Sequence, residues 1–146
     1  MDPELPFLTV MELGMIRNVA MDGETAVIEL TPTYTGCPAT DAITEDLQEA
    51  AEEIHPHVKI KLVMTPAWTT DWISAETRIK MARNGVAPPE GQSADNAFLL
   101  GDERVVPCPI CKTSDTKLVS PFGSTACKAH FTCLECLEPF DHFKCI

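Results

Sequence analysis

The sequence predicts an α/β protein: a small two-layer domain in the order β-β-α-β-α over residues 1–86, followed by a four-cysteine zinc ribbon over 105–146. Three patterns carry that expectation. Short alternating segments flank an Asp-Gly turn, a longer segment repeats apolar residues at helical spacing, and two Cys-x-x-Cys pairs stand near the C-terminus. A chain of 146 residues has room for one ordinary domain or two small ones.

Residues 5–20 form a proline-punctuated lead-in to a short strand near Met15–Met21. Asp22-Gly23 is a hairpin signal, since glycine accepts the positive φ that tight turns between twisted strands require. Thr25–Thr31 supplies the partner strand, and the loop Pro32–Pro38 leads into an amphipathic helix. Ile43, Leu47, Ala50, Ala51 and Ile54 make its apolar stripe, while Asp41, Glu45, Asp46, Glu49, Glu52 and Glu53 occupy the remaining surface. Thr35 or Thr40 is the expected N-cap, Pro38 fits a first turn whose N–H groups lack partners, and Pro56 bounds the end. Val58–Met64 alternates apolar and basic residues, giving a half-buried strand with Lys59 and Lys61 outward. Pro66–Trp72 is a loop. Thr70 or Asp71 is the expected cap of a second helix over Trp72–Asn84 that stops at Gly85. Residues 87–104, polar and rich in Pro and Gly, form a linker.

Charge narrows the function. The net charge is −11, and Lys112, Lys117, Lys128 and Lys144 balance Asp115, Glu135, Glu138 and Asp141 in residues 107–146, so the whole excess lies in residues 1–106. Nucleic-acid binders need a basic footprint to displace counterions from phosphates, so a nucleic-acid partner is excluded. The sequence has no apolar run of the ~18 residues a membrane span needs, and Met-Asp-Pro-Glu has no signal-peptide character. A soluble, cytoplasmic protein is expected, with reduced thiols. Basic protein faces or hard metal ions suit its acidity.

Cys108-Pro-Ile-Cys111 and Cys133-Leu-Glu-Cys136 stand twenty-one residues apart and supply four soft ligands for a tetrahedral zinc. Such a site is closed and builds structure; iron–sulfur ligation by the same thiols is the alternative, less favoured by the wide spacing. Phe131, Phe140 and Phe143, with Leu118 and Phe122, are expected to form an apolar cluster over the metal. Forty residues bury too little to fold alone, so zinc supplies most of the ribbon's stability. Cys127 and Cys145 read either as buried packing residues or as further ligands. His130 and His142 stand among the cysteines, where four thiolates already suffice.

Cys37 lies apart from that group. Placed before Pro38 at a helix start, its thiolate is favoured by unpaired N–H groups and the macrodipole, and Gly36 lets another chain approach the backbone. Against this, free cysteines are commonly buried, and the acidic helix disfavours a thiolate. His55 and His57 can chelate a metal, although His55 also suits a helix C-terminus. Trp68 and Trp72 read as packing residues.

Asp2-Pro-Glu-Leu-Pro6, Leu13-Gly-Met-Ile-Arg17, Thr31-Pro-Thr-Tyr-Thr-Gly-Cys37-Pro38 and Pro66-Ala-Trp-Thr-Thr-Asp-Trp72 together resemble the metal–sulfur cluster assembly domain of SufT-like proteins. Joined to Phe122-Gly-Ser-Thr-Ala-Cys127 and Phe140-Asp-His-Phe-Lys-Cys145, the chain is similar to the PaaD family of phenylacetate-degradation proteins, encoded with the multicomponent phenylacetyl-CoA epoxidase. The resemblance implies an accessory factor rather than a catalytic subunit. It implicates Cys37 in iron or iron–sulfur cluster transfer, with Asp2 and Glu4 near that loop. Its clients would be the epoxidase's metal-bearing components, the iron–sulfur reductase or the di-iron oxygenase. Members of the family carry a helix before Asp-Pro-Glu, so here that helix is either absent or not included. A single cysteine cannot complete a four-thiolate cluster, which predicts a homodimer or a bridge through a small thiol or client cysteine. The rival expectation is a scaffold subunit with no metal handling. A thiol enzyme lacks a base, since His55 lies some ~27 Å along the helix from Cys37.

Overall fold

In the computed structural model, which describes residues 1–89 and 105–144, the first strand β1 (Ile16–Asp22) turns back on β2 (Thr25–Leu30) as an antiparallel hairpin. Asp22 pairs with Thr25, leaving Gly23 and Glu24 as a two-residue loop, and Gly23 takes φ +61°. That is the conformation for which a glycine at the first loop position is preferred. Helix α1 (Thr40–Glu52) then crosses to β3 (Val58–Leu62), which pairs parallel to β2 and gives the sheet order β1-β2-β3. These elements belong to the first of two compact units, Met1–Trp68 and Thr69–Ile146.

Ile28 and Leu30 of β2 and Ile43 of α1 are buried. The Trp68 indole N–H donates to the Leu13 carbonyl at 2.9 Å, so this tryptophan packs with its one polar atom satisfied. Lys59 and Lys61 face outward as expected, and Lys61 bonds Glu29 at 2.8 Å across the sheet. That hydrogen bond and the ammonium charge hold the Glu29 carboxyl below its ordinary range.

Two details of α1 differ from expectation. Its N-cap is Ala39, with no side-chain cap bond, so neither Thr35 nor Thr40 caps it; Thr40 is already helical and its N–H donates to the Cys37 carbonyl at 3.1 Å. The helix also ends before Ile54, which is 88% exposed. Pro56 restricts the residue before it to extended conformations, so the chain leaves the helix ahead of the pattern's last apolar position.

In the second unit, Thr70–Trp72 form a 3-10 turn and α2 spans Ala75–Arg83. Its cap is Ser74, whose hydroxyl accepts the Thr77 N–H at 3.1 Å, rather than Thr70 or Asp71. Thr69 caps the short turn instead, which takes up Trp72 before the helix begins. Gly85, at φ +78°, ends the segment as predicted. Arg78 ties this corner together by donating to the carbonyls of Thr70 at 2.7 Å, Ile73 at 3.3 Å and Pro89.

The short β4 (Val86–Ala87) pairs parallel to β7 (Pro139–Phe143), itself antiparallel to β6 (Lys128–Cys133), which pairs with β5 (Thr116–Ser120). The end of the segment read as the first domain thus joins the ribbon sheet, and linker residues 90–104 lie outside the described residues. Ala87, Val106, Cys108, Ala129, Phe131, Cys133 and Phe140 form its core, where Phe131 and Phe140 stack at 5.7 Å. Phe143 is buried too. Leu118 and Phe122 are not part of it: they are 42% and 63% exposed. Leu118 lies on edge strand β5, and the Phe122 ring lies under the Lys144 ammonium at 4.5 Å, a cation–π contact that keeps it at the surface. Among the described residues no helix is long and apolar enough to cross a membrane.

Candidate metal centre and the Cys37 loop

Each Cys-x-x-Cys pair folds as a tight knuckle. In the first, Lys112 N–H returns to the Cys108 carbonyl at 3.0 Å and Cys108 N–H bonds the Thr113 carbonyl at 2.9 Å. In the second, Cys133 N–H bonds the Glu138 carbonyl at 3.0 Å, and Cys136 N–H points at the Cys133 sulfur at 3.3 Å. The β6–β7 turn carries the second knuckle, and pairing of β5 with β6, which sets Thr116 opposite Cys133, brings the first knuckle beside it, with all four sulfurs within 4.8 Å of one another. Cys108 Sγ–Cys136 Sγ is 3.8 Å and Cys111 Sγ–Cys133 Sγ is 3.5 Å. A tetrahedral zinc with Zn–S near 2.3 Å needs sulfurs about 3.8 Å apart, so the donor set fits that ion.

The electrostatics point the same way. Burial opposes ionisation of Cys133, but the N–H groups of Cys136 and Glu135 and the neighbouring thiols outweigh it and bring its thiol to about 7. On Cys136 the Glu138 N–H favours the thiolate. The Cys133 sulfur, burial and the other two thiols oppose it, pushing this group up to about 12. Cys111 is raised as well, since the help of Thr113 is overcome by burial and by Cys133 and Cys108. One thiolate forms readily and then inhibits its neighbours. A divalent cation relieves that repulsion, which is what a four-thiolate site requires. Cys108 and Cys133 are buried, Cys136 is half-buried and Cys111 is exposed.

The other candidates lie outside this quartet. Cys127 is buried, with its sulfur 3.0 Å from the Thr125 hydroxyl. His142 is buried, and its Nδ1 lies 3.3 Å from the Ala87 carbonyl. His130 Nδ1 lies 3.1 Å from Asp141. His55 directs Nδ1 to the backbone of His57. Among the described residues the knuckle thiols form the only group of three or more side chains that can hold a metal. Cys145 lies outside the described residues.

Cys37 sits in the loop between β2 and α1 and is half-buried. Its N–H bonds the Tyr34 carbonyl at 3.3 Å. Gly36 beside it takes φ +86°, and a Cβ placed there would meet nothing within 4 Å, so the glycine answers to the turn rather than to crowding. Because the N-cap is Ala39, Cys37 precedes the first helical turn, and the macrodipole's support falls off there. Asp2 is buried and accepts the N–H groups of Glu4 and Leu5, both at 2.8 Å, so this carboxylate shapes the N-terminal turn. Two features had no sequence signal. At the base of the loop the buried Thr31 hydroxyl has no hydrogen-bond partner among the described residues. Lys112 and Leu137, each following a knuckle's second cysteine, take left-handed φ values of +67° and +62°; for a non-glycine residue that costs roughly 1–2 kcal/mol.

Comparison with known proteins matches two segments of the chain to two families. Residues 1–62 match the family described as iron-sulfur cluster assembly protein, and residues 92–144 match the PaaD zinc beta ribbon domain. A protein of Escherichia coli (strain K12) named as a 1,2-phenylacetyl-CoA epoxidase subunit is 47% identical over 146 residues, 99% of this chain and 86% of the relative. An Fe-S protein maturation auxiliary factor of Porphyromonas gingivalis (strain ATCC BAA-308 / W83) is 36% identical over 83 residues, 55% of this chain and 78% of the relative. The crystal structure of a domain of unknown function, DUF59, from Bacillus anthracis aligns with TM-score 0.51 and 28% identity, covering 56% of this chain and 79% of that one.

Proposed function

The chain belongs to the same family as the E. coli 1,2-phenylacetyl-CoA epoxidase subunit, the PaaD family, and from that premise we propose that it is a non-catalytic maturation factor that delivers iron or an iron–sulfur cluster to the epoxidase's metal-bearing components. The observation that carries this reading is the separation of thiols. Four gather where a metal saturates them, while Cys37 stays half-exposed on a glycine-supported loop in the segment related to cluster assembly proteins. Zinc held by Cys108, Cys111, Cys133 and Cys136 keeps the ribbon folded. Cys37 offers one thiolate to the cargo, and the remaining ligands come from a second copy, a small thiol or a client cysteine. The clients are the iron–sulfur reductase or the di-iron oxygenase. Asp2 and Glu4, which the family resemblance sets near that loop, are assigned to the same transfer step.

A scaffold role is the second reading, favoured by the likeness to a protein named as a subunit of the epoxidase itself. Co-expression of the client with wild type or with Cys37→Ser separates the two. Delivery predicts a client poor in iron with the variant, although the variant's fold and zinc are intact. A client equally loaded by both, in a stable stoichiometric complex, leaves the scaffold.

A further inference from the structure

Leu137 combines two features that packing does not account for. Its side chain is 73% exposed, and its backbone is held at φ +62°. Lys112, at the equivalent place in the first knuckle, uses that conformation: its ammonium donates to the Pro109 carbonyl and closes the turn. A leucine side chain makes no such bond. Glycine or asparagine takes the left-handed region with less strain, and any polar residue suits the surface better. Strain retained under an exposed apolar side chain points to use. Ile110 and Leu134, on the two knuckles that the thiols bring together, are also 55% and 49% exposed.

We infer that this knuckle face, with Leu137 as anchor, docks a client segment that presents an apolar side chain flanked by Lys or Arg. Charge selects that partner. Glu135 and Glu138, exposed on either side of the half-buried Cys136 and of Leu137, outnumber the exposed Lys112 of the first knuckle, and a zinc tetrathiolate would add about −2. A cationic flank is attracted and an acidic one repelled. The inference rests on the accessory reading only for the identity of the clients.

The test is binding of the zinc-loaded full chain to the purified reductase and oxygenase components of the epoxidase, measured calorimetrically against ionic strength. Leu137→Gly removes the anchor and relieves the backbone, so zinc content and melting temperature hold or improve while affinity falls about tenfold or more. Leu137→Lys weakens it at least as far, and added salt weakens the wild type. A photo-crosslinker at position 137 attaches to a client peptide with Lys or Arg near an apolar residue. The inference fails if neither component binds the wild type, if Leu137→Gly binds as the wild type does, or if the crosslink joins two copies of this chain. Cys37→Ser separates the two claims: normal binding without metal delivery supports both docking and transfer, whereas delivery that persists without Cys37 overturns transfer and leaves docking standing.

Discussion

Cys133 and Cys136 are neighbours with opposite titration behaviour, and their difference sets how the site takes up metal. Cys133 is brought to about 7, whereas Cys136 is pushed up to about 12 and Cys111 is raised, so the metal-free ribbon keeps protons on Cys136 and Cys111 at neutral pH. Zinc binding must expel those protons. Calorimetry in buffers of different ionisation enthalpy should read that release, and affinity should fall further as pH drops through 7, because Cys133 then takes up a proton as well. Pairwise exposure decides two further substitutions. Ile43 and Ile54 look equivalent on the helical stripe, yet one is 2% and the other 88% exposed. Ile43→Ala should therefore cost about 2–4 kcal/mol in denaturant unfolding, while Ile54→Ala should stay within about 0.5 kcal/mol.

Elements were legible where a local pattern had one physical solution. The hairpin at Gly23, the alternation in β3 and the glycine that ends α2 all follow from φ requirements or strand periodicity, although the loop is Gly23-Glu24 with Asp22 still in β1, and β3 closes at Leu62 rather than Met64. Caps were less legible, because several hydroxyl residues compete and backbone geometry chooses among them. Before α2, Ser74 won over Thr70 and Asp71 because a 3-10 turn intervenes. Ser74→Ala should cost about 1 kcal/mol of stability, read as a lowered unfolding midpoint. Before α1 no side chain caps at all, which leaves Cys37 outside the first turn and removes one expected source of thiolate support. The gathering of the four knuckle thiols was legible from spacing alone, since two such pairs at that separation can close on one another. The left-handed Leu137 was not, because nothing about a leucine announces positive φ.

At the scale of the whole molecule, the net charge of −11 repels phosphates and attracts basic protein faces. The ribbon's small core of seven buried residues includes two of the ligands, Cys108 and Cys133, so chelation should melt it. Loss of the stacked Phe131–Phe140 signal on chelator treatment, with the Trp68 environment retained, would show that metal stabilises only its own part of the chain. On our reading the quartet keeps its metal permanently while Cys37 exchanges one. Elemental analysis after anaerobic loading with iron and sulfide, on wild type and Cys37→Ser, decides the matter. One zinc per chain in both, with added iron only in the wild type, is the predicted result; equal iron in the two would contradict it.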